Sequence, residues 1–589
     1  MAKLPFRAGS LPTSRSFSLA LLLTLLLTAP HAFAQKVPVI EKTLSNGMRL
    51  LMLERRDSPT ISGGWVVHVG SSNERPGITG IAHLFEHMMF KGSPHIGTKD
   101  AAKDREIMEE QERVRSLMRE EEAKMRTAYR RGEIDDLLKP ENQTARYKEL
   151  ATEFKKLLDA QRELLVKNEF DRIYTTAGAS GMNASTSADV TVYFITVPAN
   201  KMELWMWMES ERLLRPVFRE FYAERDVVYE ERRMRTESTP LGKFQEALES
   251  MFWESHPYQW PVIGWPSDIA SISKEEADAF FATYYAPQNI TLVLVGDFDS
   301  APAETLAERY FGRIPRGKTK PPEVVTLEVK QQAEKRMYAE AEANPQVDML
   351  WKTVPFGHRD SYVLGVLSQL MSTRTGRLYK GLVLGSKVAT DTYAYQDSRK
   401  WAGLFNVGGE ASEGRKPEEV EAAIEAELDK LRHERVPDEE LQKVKNNFAA
   451  GEYRKLASNS SILMQLLFYD GLGNWREINE AGPRYQAVTS EDIQNAVRKY
   501  FTKENRTVAV YTRKPGAAPS GDESSLTPEQ LPILRQMTSA LQQEKDSGKL
   551  QQRLKEIEER MGKTDPKNQP LLKLYRKRIE QRLAELQKP

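Results

Sequence analysis

His83-Leu84-Phe85-Glu86-His87 places two imidazoles and a carboxylate at HxxEH spacing. On a helix, residues four apart share a face with Cβ atoms roughly 6 Å apart. His83 and His87 could therefore share one Zn²⁺. Glu86 borders the same face without being forced onto the metal, where its carboxylate can take a proton from a water. The order is the reverse of the commoner HExxH. The competing reading is a helix whose histidines satisfy each other at the edge of a core. Phe85, Met88, Met89 and Phe90 do give it an apolar side, so a third ligand decides between the two.

The flanking sequence supplies elements to position that helix. Met48 to Leu53 follows the tight-turn dipeptide Asn46-Gly47 and reads as a strand, as does Gly64 to Gly70. Gly77 to Gly80 turns the chain into the helix, which fades near Gly92-Ser93-Pro94. His68 and His95 lack a partner at metal-ligand spacing and read as strand or loop residues. From Ala101 to about Glu169 the chain is dense in Glu, Lys, Arg and Gln, with Ile107, Met108, Val114, Leu117 and Met118 at helical spacing and breaks at Gly132 and Pro140. This predicts an inserted helical hairpin, either a solvated pair of helices held by charge pairs or a docking arm or fence beside the site. Val190 to Phe194 alternates as a strand, a long helix carries Trp205, Trp207 and Met208, and Phe221 to Glu231 is helical with Glu224 and Glu231 two turns apart on one face. A carboxylate there could complete the ligand set. A Glu-rich helix is otherwise a wet surface.

The 589 residues imply two or more domains. Arg313 to Pro322 reads as a linker between them. The stretch from Ile272-Ser273 to Asn289 returns as Val488-Thr489 to Asn505, 216 positions on at both ends. That predicts an internal duplication whose second copy lacks the metal helix. Beyond about Ser520, Leu534, Met537, Leu541, Leu550, Leu554, Ile557 and Met561 mark an amphipathic helical tail. A formal net charge of +1 gives no electrostatic reason to expect nucleic acid. Cysteine is absent, so a zinc site must use His and carboxylate. Lys3, Arg7 and Arg15, the apolar run Leu19 to Leu27 and the small-x-small Ala32-Phe33-Ala34 read as a signal peptide cleaved after Ala34. The run is too short to favour a permanent membrane span. An exported, soluble, periplasmic protein is expected, with an uncleaved amphipathic anchor as the alternative.

Gly80-Ile81-Ala82-His83-Leu84-Phe85-Glu86-His87-Met88-Met89-Phe90-Lys91-Gly92, Asn183-Ala184-Ser185-Thr186-Ser187, Glu224 to Glu231, His256-Pro257-Tyr258 and Tyr284-Tyr285-Ala286-Pro287-Gln288-Asn289 together resemble the pitrilysin/insulinase family. The likeness is to its short two-domain type, such as the mitochondrial processing peptidase and bacterial homologues. It covers most of residues 40 to 300 and, more loosely, the second half; the insert and tail fall outside it. The resemblance implies an α+β fold of two homologous domains, each a mostly antiparallel sheet backed by helices. The expected divisions are 1–34 signal peptide, 36–316 catalytic domain with the 101–170 insert, 323–515 inactive domain and 516–589 tail. It further implies a zinc-dependent endopeptidase acting on short or unfolded polypeptides. One Zn²⁺ would be held by His83, His87 and Glu231, with Glu86 as base, Glu224 as supporting carboxylate, and Asn183 and Ala184 on the edge strand where substrate lies extended. Family members usually present an Arg and a Tyr, seven apart, from the second domain or a partner; the matching positions here are Val383 and Thr390, with Tyr393 and Tyr395 out of register. This leads to the expectation of a homologous metal-free subunit that supplies them in a heterodimer. The alternative is a non-catalytic scaffold or assembly subunit of the same fold.

Overall fold

The computed structural model describes residues 36–137, 139–514 and most of 530–586. The predicted leader and its Ala34 cleavage point lie outside the described residues. Gly47, at a left-handed φ of 90° that suits glycine, turns β1 (Ile40–Thr43) into β2 (Arg49–Glu54), and β3 (Thr60–Val67) follows. Further along the chain are helix α1 (Ile81–Met88), the hairpin helices α2 (Ala101–Arg130) and α3 (Ala145–Leu164), strands β4 (Ser180–Thr186) and β5 (Thr191–Pro198), helices α4 (Phe221–Arg232), α5 (Gly242–Phe252) and α6 (Lys274–Tyr284), and β6 (Ile290–Gly296), with other helices between some of them. Among the described residues these strands form a six-stranded sheet, β1-β2-β6-β3-β5-β4, in which β2 and β6 alone run parallel.

The second half repeats the plan. It contains β7 (Lys335–Ala341), β8 (Gln346–Thr353), helix α7 (Arg359–Ser372), β9 (Ala389–Ser398), β10 (Gly403–Ala411), helices α8 (Asn459–Leu472) and α9 (Ser490–Tyr500), and β11 (Arg506–Arg513). The sheet order is β7-β11-β8-β10-β9, again with one parallel pair, β7 and β11. It is the first sheet without β1. Local details repeat as well. A capping box opens α6 at Ser273 and Glu276, and another opens α9 at Thr489 and Asp492. The Asn289 amide donates to Tyr284 O at 2.9 Å, and that of Asn505 to Tyr500 O at 2.8 Å. The second copy lacks the metal helix in one particular sense. The second unit does have a helix in the place of α1: α7 follows β8 just as α1 follows β3. It buries Tyr362, Val363, Leu364, Val366 and Leu367 and carries no histidine, so what is missing is the donor pair and not the helix.

Alternation along the strands explains how the units interlock. Leu50, Met52, Trp65, Val67, Leu292 and Leu294 face the main core of the first unit. Their neighbours Leu51, Leu53, Val66, Val293 and Val295 face the other way, against Ile462, Leu463, Leu466 and Leu467 of α8. Helix α8 belongs to the second unit. Gly64 gives it room: a Cβ there would lie 3.0 Å from Leu467 Cδ1. In return, Leu248 and Phe252 of α5, with Trp253, cover Leu350, Leu404 and Tyr511 of the second sheet. Both sheets are thus apolar on two faces, which is why their strands read as continuous hydrophobic runs. The tail helices α10 (Ser547–Met561) and α11 (Gln569–Leu586) share a small core of their own around Leu550, Ile557, Leu574 and Ile579. No helix among the described residues is long and apolar enough to cross a membrane.

Leu466→Ala, at a fully buried position, is expected to cost about 2–5 kcal/mol of stability. Urea denaturation measures the loss. Hydrogen exchange should show it in β3 and β6 of the first unit, although residue 466 belongs to the second.

Candidate metal centre

Helix α1 begins at Gly80, whose φ of 90° and close approach to Ile263 O, 2.5 Å from an added Cβ, both call for glycine. The Glu74 carboxylate accepts from Gly80 N and Ala82 N at 2.8 Å each, satisfying backbone donors that a helix start leaves open. Phe85 anchors the apolar side against Phe218 and Phe280, with ring centroids 5.2 and 5.4 Å away. The opposite side presents His83, Glu86 and His87 to helix α4.

There Glu231 meets both histidines. Its Oε2 lies 3.3 Å from His87 Nε2 and 3.7 Å from His83 Nε2. The ligand atoms of these three residues lie within 4.8 Å of one another, forming the one such cluster among the described residues. Glu231 Oε1 is held by Arg235 at 2.8 Å, whereas Oε2 is buried and has no hydrogen-bond partner. Tetrahedral zinc with ligands at about 2.0–2.1 Å separates its donors by roughly 3.3 Å. The donor set, its spacing and the unpartnered oxygen fit such an ion. Glu224, two turns earlier on α4, places Oε2 3.3 Å from His87 Nδ1 and Oε1 2.5 Å from Lys91 Nζ.

Protonation follows from burial and neighbours. Burial, with help from His87 and Arg235, lowers His83 to about 3, keeping its imidazole neutral. Burial also acts against the charged form of His87, but the hydrogen bond and charge of Glu224, with Glu231 and Glu86, outweigh it and raise that pKa. Burial raises Glu86 against the opposing hydrogen bond that Thr186 Oγ1 donates to its Oε2 at 2.6 Å.

Strand β4 is the free edge of the first sheet. Asn183 on it is exposed and Ala184 buried. Two clefts flank this edge and share Glu86, Asn183 and Ala184. One, of about 460 Å³, runs past His87 to Leu165–Phe170 at the exit of the hairpin; the other, of about 430 Å³, runs past His83 to Arg235 and Ile263. The remaining candidates lie elsewhere. His68 Nε2 is 3.0 Å from Asp470 Oδ2 of α8, and His95 meets Arg215. Val383 packs on the second core, Thr390 donates to Glu410 Oε1 at 2.9 Å, and Tyr393 bonds Asp348. Sequence reasoning assigned no role to Lys91, Thr186 or Arg235. A spacing signal for two of them was present: each cation stands four residues after a candidate ligand, His87 or Glu231, just past the end of that ligand's helix.

Residues 50–123 match the family described as Insulinase (Peptidase family M16), and residues 271–448 match Peptidase M16 inactive domain. The chain belongs to the pitrilysin/insulinase family. Among its relatives, the zinc protease PqqE of Helicobacter pylori is 27% identical over 482 residues, 80% of this chain and 92% of that protein. The crystal structure of a protease from Helicobacter pylori superposes with a TM-score of 0.66 at 22% identity, covering 81% of this chain and all of that one. The periplasmic protease PqqL from Escherichia coli gives 0.60 at 17%, covering 84% of this chain and 49% of its own. The mixed fold of two sheets backed by helices is that of these M16 structures.

Thr186→Val removes the only side-chain donor found on Glu86 among the described residues. Because a hydrogen bond to a carboxylate favours its charged form, the Glu86 pKa should rise further in the variant. Carbon-13 NMR titration of Glu86 in metal-free protein reads the direction.

Proposed function

We propose that this member of the family is a zinc metalloendopeptidase in which His83, His87 and Glu231 hold one Zn²⁺ and Glu86 is the general base. The observation carrying the reading is the meeting of Glu231 Oε2 with both imidazoles, next to a carboxylate that burial has made more basic. When bound, the ion supplies a water of lowered pKa and polarises the scissile carbonyl. Thr186 occupies Oε2 of Glu86 and leaves Oε1 to accept the proton from that water and deliver it to the leaving amine. Glu224 orients His87 through Nδ1, so that Nε2 faces Glu231. The β4 edge at Asn183 and Ala184 takes an extended, unfolded or short polypeptide by backbone pairing, which tolerates varied sequence.

The leader read in the sequence, together with the printed description of PqqL as a periplasmic protease, supports export to the periplasm. A homologous metal-free subunit that supplies an Arg and a Tyr is part of the same proposal. It is supported by Val383 and Thr390 standing where those side chains are expected, both of them engaged within the second unit.

Glu86→Gln should keep stoichiometric zinc by metal analysis and lower kcat on unfolded peptides by about 10²–10⁴-fold. His83→Ala should lose the metal. Full proteolysis by Glu86→Gln would remove the assigned base. The partner idea has its own test: the purified chain alone should be slow until the homologous subunit is added, and ordinary turnover without it removes the heterodimer.

A further inference from the structure

The inserted hairpin is joined to the candidate centre by a continuous buried polar chain. Arg219, 2% exposed, sits just before α4. Its Nε donates to Asp104 Oδ2 of α2 at 2.8 Å. Its terminal nitrogens donate to Lys91 O at 2.7 Å, Ile96 O at 2.9 Å and Ser93 O at 3.2 Å, all in the loop that leaves α1. Asp104 is 1% exposed and also accepts from Gln161 Nε2 of α3 at 2.9 Å, while Gln161 accepts from Gln111 at 3.1 Å. A second contact lies further along α4. Tyr222 donates its hydroxyl to Glu112 of α2 and packs edge-on against Phe154 of α3, with ring centroids 5.3 Å apart. The Arg115 guanidinium lies 5.4 Å from the Tyr222 ring centre and 5.9 Å from that of Phe154. The root is in register too: Lys99 N donates to Leu164 O at 2.8 Å and Val166 N to Gly97 O at 3.1 Å.

We propose that the α2–α3 hairpin is a brace that sets the separation of the histidine helix and the glutamate helix, with Asp104 and Tyr222 as positioning residues. The inference rests on the metal site proposed above. Asp104 is the carboxylate that neutralises the guanidinium of Arg219, which stands at the entry of α4 and bonds the loop at the exit of α1. Lys91, whose carbonyl Arg219 holds, carries the ammonium on Glu224, and Glu224 holds His87. A shift at Asp104 is therefore passed through Arg219 and Lys91 to a ligand. The hairpin is therefore more than a solvated pair of helices: part of its inner face is spent on this contact.

The test compares wild type, Asp104→Asn, Tyr222→Phe and Met125→Ala by zinc affinity in chelator competition, kcat and KM on an unfolded peptide, and thermal midpoint. Asp104→Asn keeps the shape and removes the charge; it should weaken zinc and lower kcat by about tenfold each, the scale seen for outer partners of metal ligands, while KM changes little. Tyr222→Phe loses one hydroxyl and should shift zinc affinity the same way by about threefold, which keeps the proposal testable if Asp104→Asn does not fold. Met125→Ala, buried in α2 well away from the root, should lower the thermal midpoint and leave zinc affinity alone. Wild-type zinc affinity and kcat in folded Asp104→Asn, or in Tyr222→Phe, overturns the brace. Equal weakening by Met125→Ala overturns it as well, since any damage to the hairpin would then suffice. A wild type that takes up no zinc overturns the metal reading and the brace with it.

Discussion

The separation between helices α1 and α4 is the constraint on which the rest depends. Two imidazoles come from one helix and a carboxylate from another, and a ligand displaced by a few tenths of an ångström no longer suits a tetrahedral ion. Neither helix could hold that spacing alone. Helix α1 has eight residues, too short to persist in water without packing. Phe85 fixes it against Phe218 and Phe280, Tyr193 donates its hydroxyl to Phe85 O at 3.2 Å, and Glu74 caps its start. Helix α4 buries Phe221, Tyr222 and Val228 in the same core. Each helix is thus placed by apolar burial and then trimmed by polar contacts.

The second unit answers the same need. Sheet one is apolar on both faces, and the face away from α1 would be wet without α8. A unit with no candidate ligands therefore persists for a physical reason: it covers Leu51, Val66 and Val293, and receives α5 in exchange. Asp470, fully buried on α8, reaches back to Arg49 and His68, so the contact between the units has a charged lock as well as an apolar seam. Such a pair breaks at high cost when only one member is removed.

What the sequence made legible was periodicity and chemistry on single elements. HxxEH, the seven-residue spacing of Glu224 and Glu231 and the strand alternation are local patterns, the 216-residue repeat is plain self-similarity, and each has its counterpart in the geometry. The exchange of α5 and α8 was not legible. A helix of the second unit that serves the first sheet looks, in sequence, like any amphipathic helix. The hairpin was legible as a pair of helices, but its charged composition hides a buried face that includes Asp104, Gln111, Arg115 and Gln161, polar residues that periodicity scores as wet.

Charge balance at the centre gives the site its logic. Glu86, Glu224 and Glu231 bring three carboxylates into a partly buried space, and Lys91 and Arg235 return two positive charges. Each of the α4 carboxylates gives one oxygen to a cation and turns the other toward a histidine. The cations hold the rotamers and offset repulsion among acids that would otherwise raise one another's pKa. The hydrogen bond and charge of Glu224, joined by Glu231 and Glu86, raise the pKa of His87 against its burial. Under the proposed function, a divalent ion held by His83, His87 and Glu231 would supply positive charge at this point, and its uptake would compete with protonation of His87. His83, already neutral, has nothing to give up. The asymmetry between the two imidazoles therefore follows from the burial of His83 and from where Glu224 stands.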